Sequence, residues 1–153
     1  MDTTPEAQLA KLGIDLPVAP PAVGAYVPAL RVGGLAVTSG QLPFHEGKLA
    51  FIGKLGKELT VEQGREAARL CAINALSQLK ALLGDLGKVK QIVRLEGYVH
   101  SDADFQQQPQ VLNGASELFN AIFGDRGRHT RIALGISEMP LGAAVQLGVW
   151  VEV

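Results

Sequence analysis

The sequence lacks the residues that several common chemistries need. Its single cysteine, Cys71, excludes an internal disulfide and any zinc cluster built on cysteines. Its three histidines are scattered along the chain and never occur at a His-x-x-x-His spacing: His45, His100 and His129. The sequence therefore predicts no metal site.

Charge is also scarce, and neither sign dominates. Charged residues make up 19% of the 153 residues, against about 25% in a typical protein, and the net charge is −1. A nucleic-acid-binding protein generally carries a basic excess, because neutralising phosphates supplies most of its affinity. The short basic segment RGRHTR (126–131) is more typical of a loop. We expect no nucleic-acid partner, and the charge-poor surface indicates a homo-oligomer.

Long apolar runs and familiar nucleotide motifs are missing too. No segment is long enough to span a bilayer, and the acidic start MDTTPEAQLA is unlike a signal peptide. GKLAFIGKL (47–55) differs from a phosphate-binding loop, since its glycines are one residue too far apart and no Ser or Thr follows the lysine. These features predict a cytoplasmic protein without dinucleotide or phosphoryl-transfer chemistry.

Short elements open the chain. Thr3 and Glu6 form a predicted capping box, with Pro5 in the first turn and Gly13 as the stop of a helix. A proline-rich stretch then excludes regular helix. Turn signals separate three predicted strands at about 26–32, 35–40 and 48–53.

Two long helices follow from periodicity and end signals. Thr60 and Gln63 make a second capping box and Gly84 ends this helix, whose apolar stripe comprises Ala68, Ala72, Ala75, Leu79, Leu82 and Leu83. The other helix, at about 109–123, begins at Pro109 and carries Val111, Leu112, Ala115, Leu118, Phe119 and Ile122. Both stripes predict helices that pack on one side only.

The remaining segments alternate as strands do. KQIVRLEGYVH (90–100) places Val93, Leu95, Gly97 and Val99 opposite Arg94, Glu96, Tyr98 and His100. The closing segment, 129–153, is interpreted as a hairpin turned at EMPLG. Its alternation is interpreted as pointing Ile132, Leu134 and Ile136, with Val145, Leu147, Val149 and Val151, toward the helices. We therefore predict an α+β fold, with two long helices on one face of a mixed sheet.

This interpretation places Arg131 and Gln146 together on the uncovered face, which would be a subunit interface. Other small polar groups could join them: Tyr26, Ser39, Gly40, Gln41 and Asn113. An arginine on a partly apolar face suits two-pronged binding of a carboxylate. The alternative is an arginine paired with a neighbouring acid such as Glu96.

Four segments carry a resemblance to a known family: YVPALRVGGLAVTSGQLP, LGDLGKVKQIVRLEGYVHSDADF, QVLNGASELFNAIFG and TRIALGISEMPLGAAVQLGVWVEV. Together they cover nearly everything from residue 14 onward. The most specific features are SGQLP and the spacing from Arg131 to Pro140. The chain resembles the RidA/YjgF family, in its longer subgroup with an extra N-terminal helix.

The resemblance implies a chorismate-mutase-like fold of the bacillus type, spanning 1–153 as one domain with 1–13 as the extra helix. It also implies a homotrimer with a central sheet-lined barrel and sites in clefts between subunits. The implied activity is hydrolysis of reactive enamine and imine acids, such as 2-aminoacrylate and 2-iminobutanoate, to 2-keto acids and ammonia. Neither a metal nor an organic cofactor is implied.

Site residues follow from the same resemblance. Arg131 would hold the substrate carboxylate, and Tyr26 would close the pocket. Gly40 would let the backbone approach the ligand. The backbone around Ala133 would hold the imine end, with Asn113 in the same set.

Gln146 departs from the family pattern, since deaminating members carry a glutamate there. An amide can orient water but cannot accept its proton, and proton transfer is typically worth a factor of about 10²–10⁴. Glu152 lies about 20 Å along the same strand and cannot substitute. The alternative function is therefore non-catalytic binding of a small carboxylate. His129 could be a proton shuttle or a loop residue.

Overall fold

A five-stranded mixed sheet carries the long helices on one of its faces. The computed structural model describes residues 4–153, which contain the following helices and strands: α1 (Pro5–Lys11), β1 (Ala29–Val32), β2 (Leu35–Thr38), β3 (Phe44–His45), β4 (Lys48–Leu49), α2 (Val61–Leu83), β5 (Gln91–His100), α3 (Gln108–Phe123), β6 (Thr130–Ile136) and β7 (Val145–Glu152). The order in the large sheet is β1-β2-β7-β5-β6, and β3 pairs with β4 separately. The α+β prediction is confirmed.

Helix ends largely follow the local signals. The Gln63 N–H donates to Thr60 Oγ1 at 3.2 Å and the Thr60 N–H donates to Gln63 Oε1 at 2.9 Å, which confirms the capping box of α2. Gly84 caps the other end with φ of 82°. Leu82 is 38% exposed, so the predicted stripe is wrong at this one position.

The first helix begins differently from the prediction. Thr4 is its N-cap and accepts a hydrogen bond from the Ala7 N–H at 3.2 Å, while Thr3 lies outside the described residues. Glu6 instead ties α1 to the end of α2, where it accepts from Lys80 Nζ at 3.1 Å and from the Leu86 N–H at 2.8 Å.

Small residues let α2 and α3 come close together over the sheet. The buried face of α2 is rich in alanine: Ala67, Ala68, Ala72 and Ala75. At the crossing with α3, a Cβ on Gly114 would lie 2.1 Å from the backbone oxygen of Arg65, so only glycine fits there. The helices pack on β5, β6 and β7.

The strands before α2 are shorter than predicted. β1 begins at Ala29, so Tyr26 precedes it, and β2 ends at Thr38. The predicted strand at 48–53 shrinks to Lys48–Leu49, which pairs with an unpredicted partner, Phe44–His45. Proline and glycine around these segments favour the irregular backbone.

One strand is out of phase with its predicted alternation. The pairing of β5 with β7 shifts between Ile92 and Arg94. As a result Ile92 is buried and Val93 only half-buried, so Val93 does not belong with Leu95 as predicted. A bulge inserts one residue and reverses the faces beyond it.

The closing segment is not a hairpin. β6 pairs in parallel with one edge of β5, whereas β7 pairs antiparallel with the other edge, so β5 lies between them. The parallel register aligns Leu95 with Arg131 and Gly97 with Ala133. Leu95 and Gly97 are buried beneath the helices, so Arg131 and Ala133 also face the helices.

The predicted faces are therefore wrong for β6 and right for β7. Leu134 points to the open face and is 51% exposed, whereas Leu147 and Val149 are buried as predicted. Within residues 4–153, no helix combines the length and apolarity needed to cross a membrane.

Candidate active site

Arg131 is held at the outer edge of the sheet by α3. Its Nη1 donates to Asn113 Oδ1 at 2.9 Å and to Ser116 Oγ at 3.1 Å. Its Nη2 donates to the backbone oxygen of Pro109 at 3.1 Å. We call these four residues, together with His129, the arginine cluster.

All three partners of Arg131 are neutral. Within residues 4–153 no carboxylate pairs with its guanidinium, and Glu96 instead contacts Arg94 at 3.4 Å on the opposite face. Pairing with Glu96 is therefore wrong. Of the five N–H donors of an arginine, the Nε–H and one Nη2–H keep no partner in this part of the chain. Those two donors can bind both oxygens of one carboxylate.

Backbone groups near Ala133 accompany this free edge. The Ile136 oxygen accepts from the Ser101 N–H at 2.9 Å, so the backbone polar groups of Ile136 point toward β5. Strand backbones alternate in direction, so the N–H and C=O of Ala133 point outward from the edge strand. Arg131 and Ala133 thus offer hydrogen-bond donors along the same edge.

His129 is fixed from both sides of its ring. Its Nε2 lies 2.9 Å from Ser116 Oγ and its Nδ1 lies 2.6 Å from the backbone oxygen of Gly127. The ring also packs edge-on against Phe119, with centroids 6.4 Å apart. His129 lies in the loop before β6, and its ring belongs to the arginine cluster. Its role as a shuttle stays a prediction.

A second group forms where the chain leaves β2. A Cβ on Gly40 would lie 2.8 Å from Cδ of Gln146, so the missing side chain lets the amide of Gln146 lie against the backbone. Tyr26 and Gly40 both line a cavity of about 610 Å³. We call Tyr26, Gly40, Gln146 and this cavity the Gly40 corner.

The walls of the cavity are mostly apolar and come from the proline-rich stretch. They include Pro17, Val18, Ala19, Pro20, Pro21, Ala22, Val23 and Pro28. The Tyr26 hydroxyl accepts a hydrogen bond from the Val23 N–H at 3.4 Å, which folds this stretch over the ring. The cavity is open to a ligand with an apolar carbon chain.

Two predicted site residues have structural partners instead. Ser39 Oγ donates to the backbone oxygen of Val27 at 2.6 Å, and Gln41 Nε2 donates to the backbone oxygen of Ser39 at 3.1 Å. These bonds hold the segment around Gly40 in place.

The sequence interpretation missed two buried amides on α2 that support the same wall. Gln78 Nε2 donates to the backbone oxygen of Pro20 at 2.6 Å, and Asn74 Nδ2 donates to that of Leu42 at 2.9 Å. The sequence signal for them is the presence of two amide side chains, Asn74 and Gln78, on the otherwise apolar buried face of α2.

The arginine cluster and the Gly40 corner do not meet within one chain. Gly40 follows β2, which is three strand spacings or about 14 Å from β6, and Gln146 lies on β7, which is two spacings or about 9.5 Å from β6. Gln146 lies on the open face beside Tyr98, while Arg131 faces α3. The predicted shared face of Arg131 and Gln146 is therefore wrong. A ligand of a few heavy atoms cannot reach both groups in one copy.

Among residues 4–153, the two groups with a shifted pKa, Cys71 and Glu58, lie outside both groups of the candidate site. Burial raises the pKa of the Cys71 thiol well above its usual range, and the thiol contacts the backbone oxygen of Val145 at 3.5 Å. A hydrogen bond from the Lys54 N–H lowers the pKa of exposed Glu58. Cys71 is therefore a protonated core residue and a poor nucleophile.

A family model described as "YjgF/chorismate_mutase-like, putative endoribonuclease" matches residues 6–153. Protein TCP17 of Trypanosoma cruzi is 44% identical over 147 residues, which cover 95% of this chain and 92% of that protein.

Two crystal structures extend this similarity to the fold. One, called a "putative endoribonuclease" from Shewanella oneidensis, has a TM-score of 0.96 and 41% identity, covering 98% of this chain and 99% of that one. Atu1372 from Agrobacterium tumefaciens, of unknown function, has a TM-score of 0.92 and 42% identity, with 97% and 92% covered.

Proposed function

This chain belongs to the YjgF/chorismate-mutase-like family, and on that premise we propose that it hydrolyses small 2-imino and 2-enamino acids to 2-keto acids and ammonia. The observation that carries the proposal is that Arg131 has no carboxylate partner within residues 4–153. A half-buried guanidinium, oriented by three neutral acceptors, keeps a two-donor edge for an anion.

The site is completed by a second copy of the chain. One copy supplies Arg131 for the carboxylate and the Ala133 backbone for the imine end. The other supplies Tyr26, Gly40 and Gln146, because these lie too far from Arg131 within one copy.

A homotrimer around the open sheet face would provide this arrangement. Four apolar side chains on that face are at least 38% exposed: Leu30, Val32, Leu35 and Leu134. Covering them would bury apolar area that water otherwise contacts. Sedimentation or light scattering measures the predicted mass of three chains.

The reaction needs an oriented water more than a strong base. Water adds its oxygen to the imine carbon, and one of its protons passes to the nitrogen. The C–N bond then breaks as the remaining hydroxyl proton also passes to the nitrogen, so ammonia leaves and a keto group stays behind. An enamine must first gain a proton on carbon and lose one from nitrogen to become the imine. Gln146 can orient the water through its amide, but it cannot hold the transferred proton.

Gln146 also favours a second candidate, a protein that binds such acids without turning them over. Proton transfer by a carboxylate is worth a factor of about 10²–10⁴, and the amide lacks it. Glu152 is six residues farther along β7, about 20 Å away. The two candidates share the binding site and differ only in turnover.

The test generates 2-iminobutanoate in solution and follows keto-acid release. We expect acceleration by the wild-type protein and a further gain with Gln146→Glu. Gln8→Glu makes the same charge change on α1, which contributes no residue to either group, and should match the wild type. Acceleration by Gln146→Glu but not by the wild type would support the second candidate, a protein that binds these acids without hydrolysing them. If neither the wild type nor Gln146→Glu accelerates keto-acid release, the proposed hydrolytic activity is wrong.

The surface does not favour the ribonuclease in the names of some relatives. The net charge is −1. In the basic segment 126–131, Arg126 donates to the backbone oxygen of Val89 at 2.8 Å, and Arg131 is held within the arginine cluster. Only Arg128 of these arginines is exposed, and phosphate binding generally needs several.

A further inference from the structure

A chain of hydrogen bonds leads from the backbone through a histidine and a serine to Arg131. The Gly127 oxygen contacts His129 Nδ1 at 2.6 Å, His129 Nε2 contacts Ser116 Oγ at 2.9 Å, and Ser116 Oγ contacts Arg131 Nη1 at 3.1 Å. The proposed function uses Ser116 only as an acceptor for Arg131, and it assigns no step to His129.

The chemistry of the partners gives every one of these bonds a direction. A carbonyl oxygen only accepts, so His129 Nδ1 must carry a proton. The guanidinium of Arg131 only donates, so Ser116 Oγ must accept from it. In the neutral ring Nε2 has no proton, and the single proton of Ser116 therefore points at His129.

Another serine in the same protein shows what Ser116 would otherwise do. Ser77, in the middle of α2, donates to the backbone oxygen of Ile73 one turn earlier, at 3.1 Å. This is the ordinary bond of a serine within a helix. Ser116 lies in the middle of α3 but contacts His129 and Arg131 instead. His129 thus keeps the Ser116 oxygen turned toward the guanidinium.

His129 is itself held rigidly enough to impose this direction. Its ring lies edge-on to Phe119 of α3. A Cβ on Gly127 would lie 2.4 Å from the Phe119 backbone oxygen, so the segment before β6 runs directly against the helix. Both ends of the hydrogen-bond chain therefore rest on α3 and its adjoining turn.

We propose that His129 is a positioning residue, which acts through Ser116 to fix the rotation of the Arg131 guanidinium. With Nη1 bound on the inner side, the Nε–H and the free Nη2–H face outward as a pair. The ligand in this inference, a small 2-keto or 2-imino acid, rests on the proposed function. The hydrogen bonds among Gly127, His129, Ser116 and Arg131 form without any ligand.

The first test needs no ligand. In the ¹⁵N NMR spectrum of the neutral ring, we expect His129 to carry its proton on Nδ1. We also expect a sharp Arg131 Nε–H signal, which should broaden in Ser116→Ala as the guanidinium gains freedom. A proton on Nε2, or an Arg131 signal indifferent to Ser116→Ala, would overturn the proposal.

The second test compares two conservative variants by calorimetry with 2-ketobutyrate. The amide oxygen of His129→Gln can occupy the place of Nε2 and accept from Ser116, so affinity should stay within about twofold. His129→Asn reaches only toward Gly127, so affinity should fall about fivefold to tenfold, as in Ser116→Ala. His45→Gln, at an exposed histidine, is the control and should match the wild type.

Equal affinity in His129→Gln and His129→Asn, at unchanged melting temperature, would show that His129 does not position Arg131. If the wild-type protein binds no keto acid at all, the proposed function is wrong. In that case the ligand-free NMR test, through the tautomer of His129 and the Arg131 Nε–H signal, still decides whether His129 positions Arg131.

Discussion

The arginine cluster and the Gly40 corner differ in what they offer a ligand. In the cluster, a charged side chain is fixed by three neutral acceptors, so its direction is set before any ligand arrives. In the Gly40 corner, Gly40 lacks a side chain, borders a cavity of about 610 Å³ and lies against the uncharged amide of Gln146. One region provides charge and direction, and the other provides room. A small polar acid needs both, and one copy of the chain keeps them apart.

Removing the charge of Arg131 is expected to have the largest effect on ligand affinity. Arg131→Ala should weaken binding of 2-ketobutyrate by about 100-fold or more, because two charge-assisted hydrogen bonds are lost. Calorimetry measures the affinity. Arg69→Ala removes an arginine of α2 that belongs to neither group and does not lie on the open sheet face, so it should leave affinity unchanged. Retained affinity in Arg131→Ala would refute the role of the cluster.

Filling the Gly40 corner should have the next largest effect. In Gly40→Ala the new Cβ would lie 2.8 Å from Cδ of Gln146, so the amide must move. We expect about tenfold weaker binding, equivalent to about 1.4 kcal/mol.

Gly34→Ala is the matched control, because its Cβ would meet only the Val153 oxygen, at 4.0 Å. Both variants should stay folded, as shown by unchanged circular dichroism. Equal affinities for the two variants would mean that close approach at Gly40 does not matter.

The length of the ligand sharpens the contrast between the two regions. The apolar cavity predicts that affinity rises along a series of straight-chain 2-keto acids, by up to about fourfold per added CH₂. Arg131→Lys should weaken all members similarly, whereas Gly40→Ala should penalise the longer ones more. Affinity that falls with each added carbon would show that the cavity does not receive the side chain.

The smallest effect is expected where neither region is touched. Cys71 lies on the buried face of α2, and burial raises its pKa in the folded protein. In the unfolded chain the thiol ionises at a lower pH. Its contribution to stability is therefore intact below about pH 8.5 and declines as the pH rises toward the raised folded value.

Urea unfolding at pH 8 and pH 10 measures this loss. Cys71→Ala should lose less free energy of unfolding between these pH values than the wild type, while keto-acid affinity stays the same at pH 8. An identical loss in both proteins would contradict the conclusion that the raised pKa of Cys71 makes stability depend on pH in this range.

Local signals predicted the helices well, because caps and stripes act over a few residues. Thr60, Gln63 and Gly84 set the ends of α2 as expected. Two pairs of predicted site residues are also close: Arg131 with Asn113 at 2.9 Å, and Gly40 with Gln146.

The face of β6 could not be predicted in the same way. Alternation separates Arg131, Ala133 and Gly135 from Ile132, Leu134 and Ile136, but both sets are largely apolar. Which set faces the helices depends on the parallel pairing with β5, a contact across more than thirty residues of sequence. The link through Ser116 could not be predicted for the same reason, since only the folded chain brings this residue of α3 to His129 and Arg131.

A mixing experiment tests most directly whether two copies build one site. Arg131→Ala and Gly40→Val should each fail to bind 2-ketobutyrate, and the two proteins are then refolded together in equal amounts. In a trimer with sites between copies, about one quarter of the sites regain both intact groups, and calorimetry should detect that fraction at wild-type affinity. If each site lay within a single copy, every site would stay broken, and the absence of any recovered binding would contradict the account.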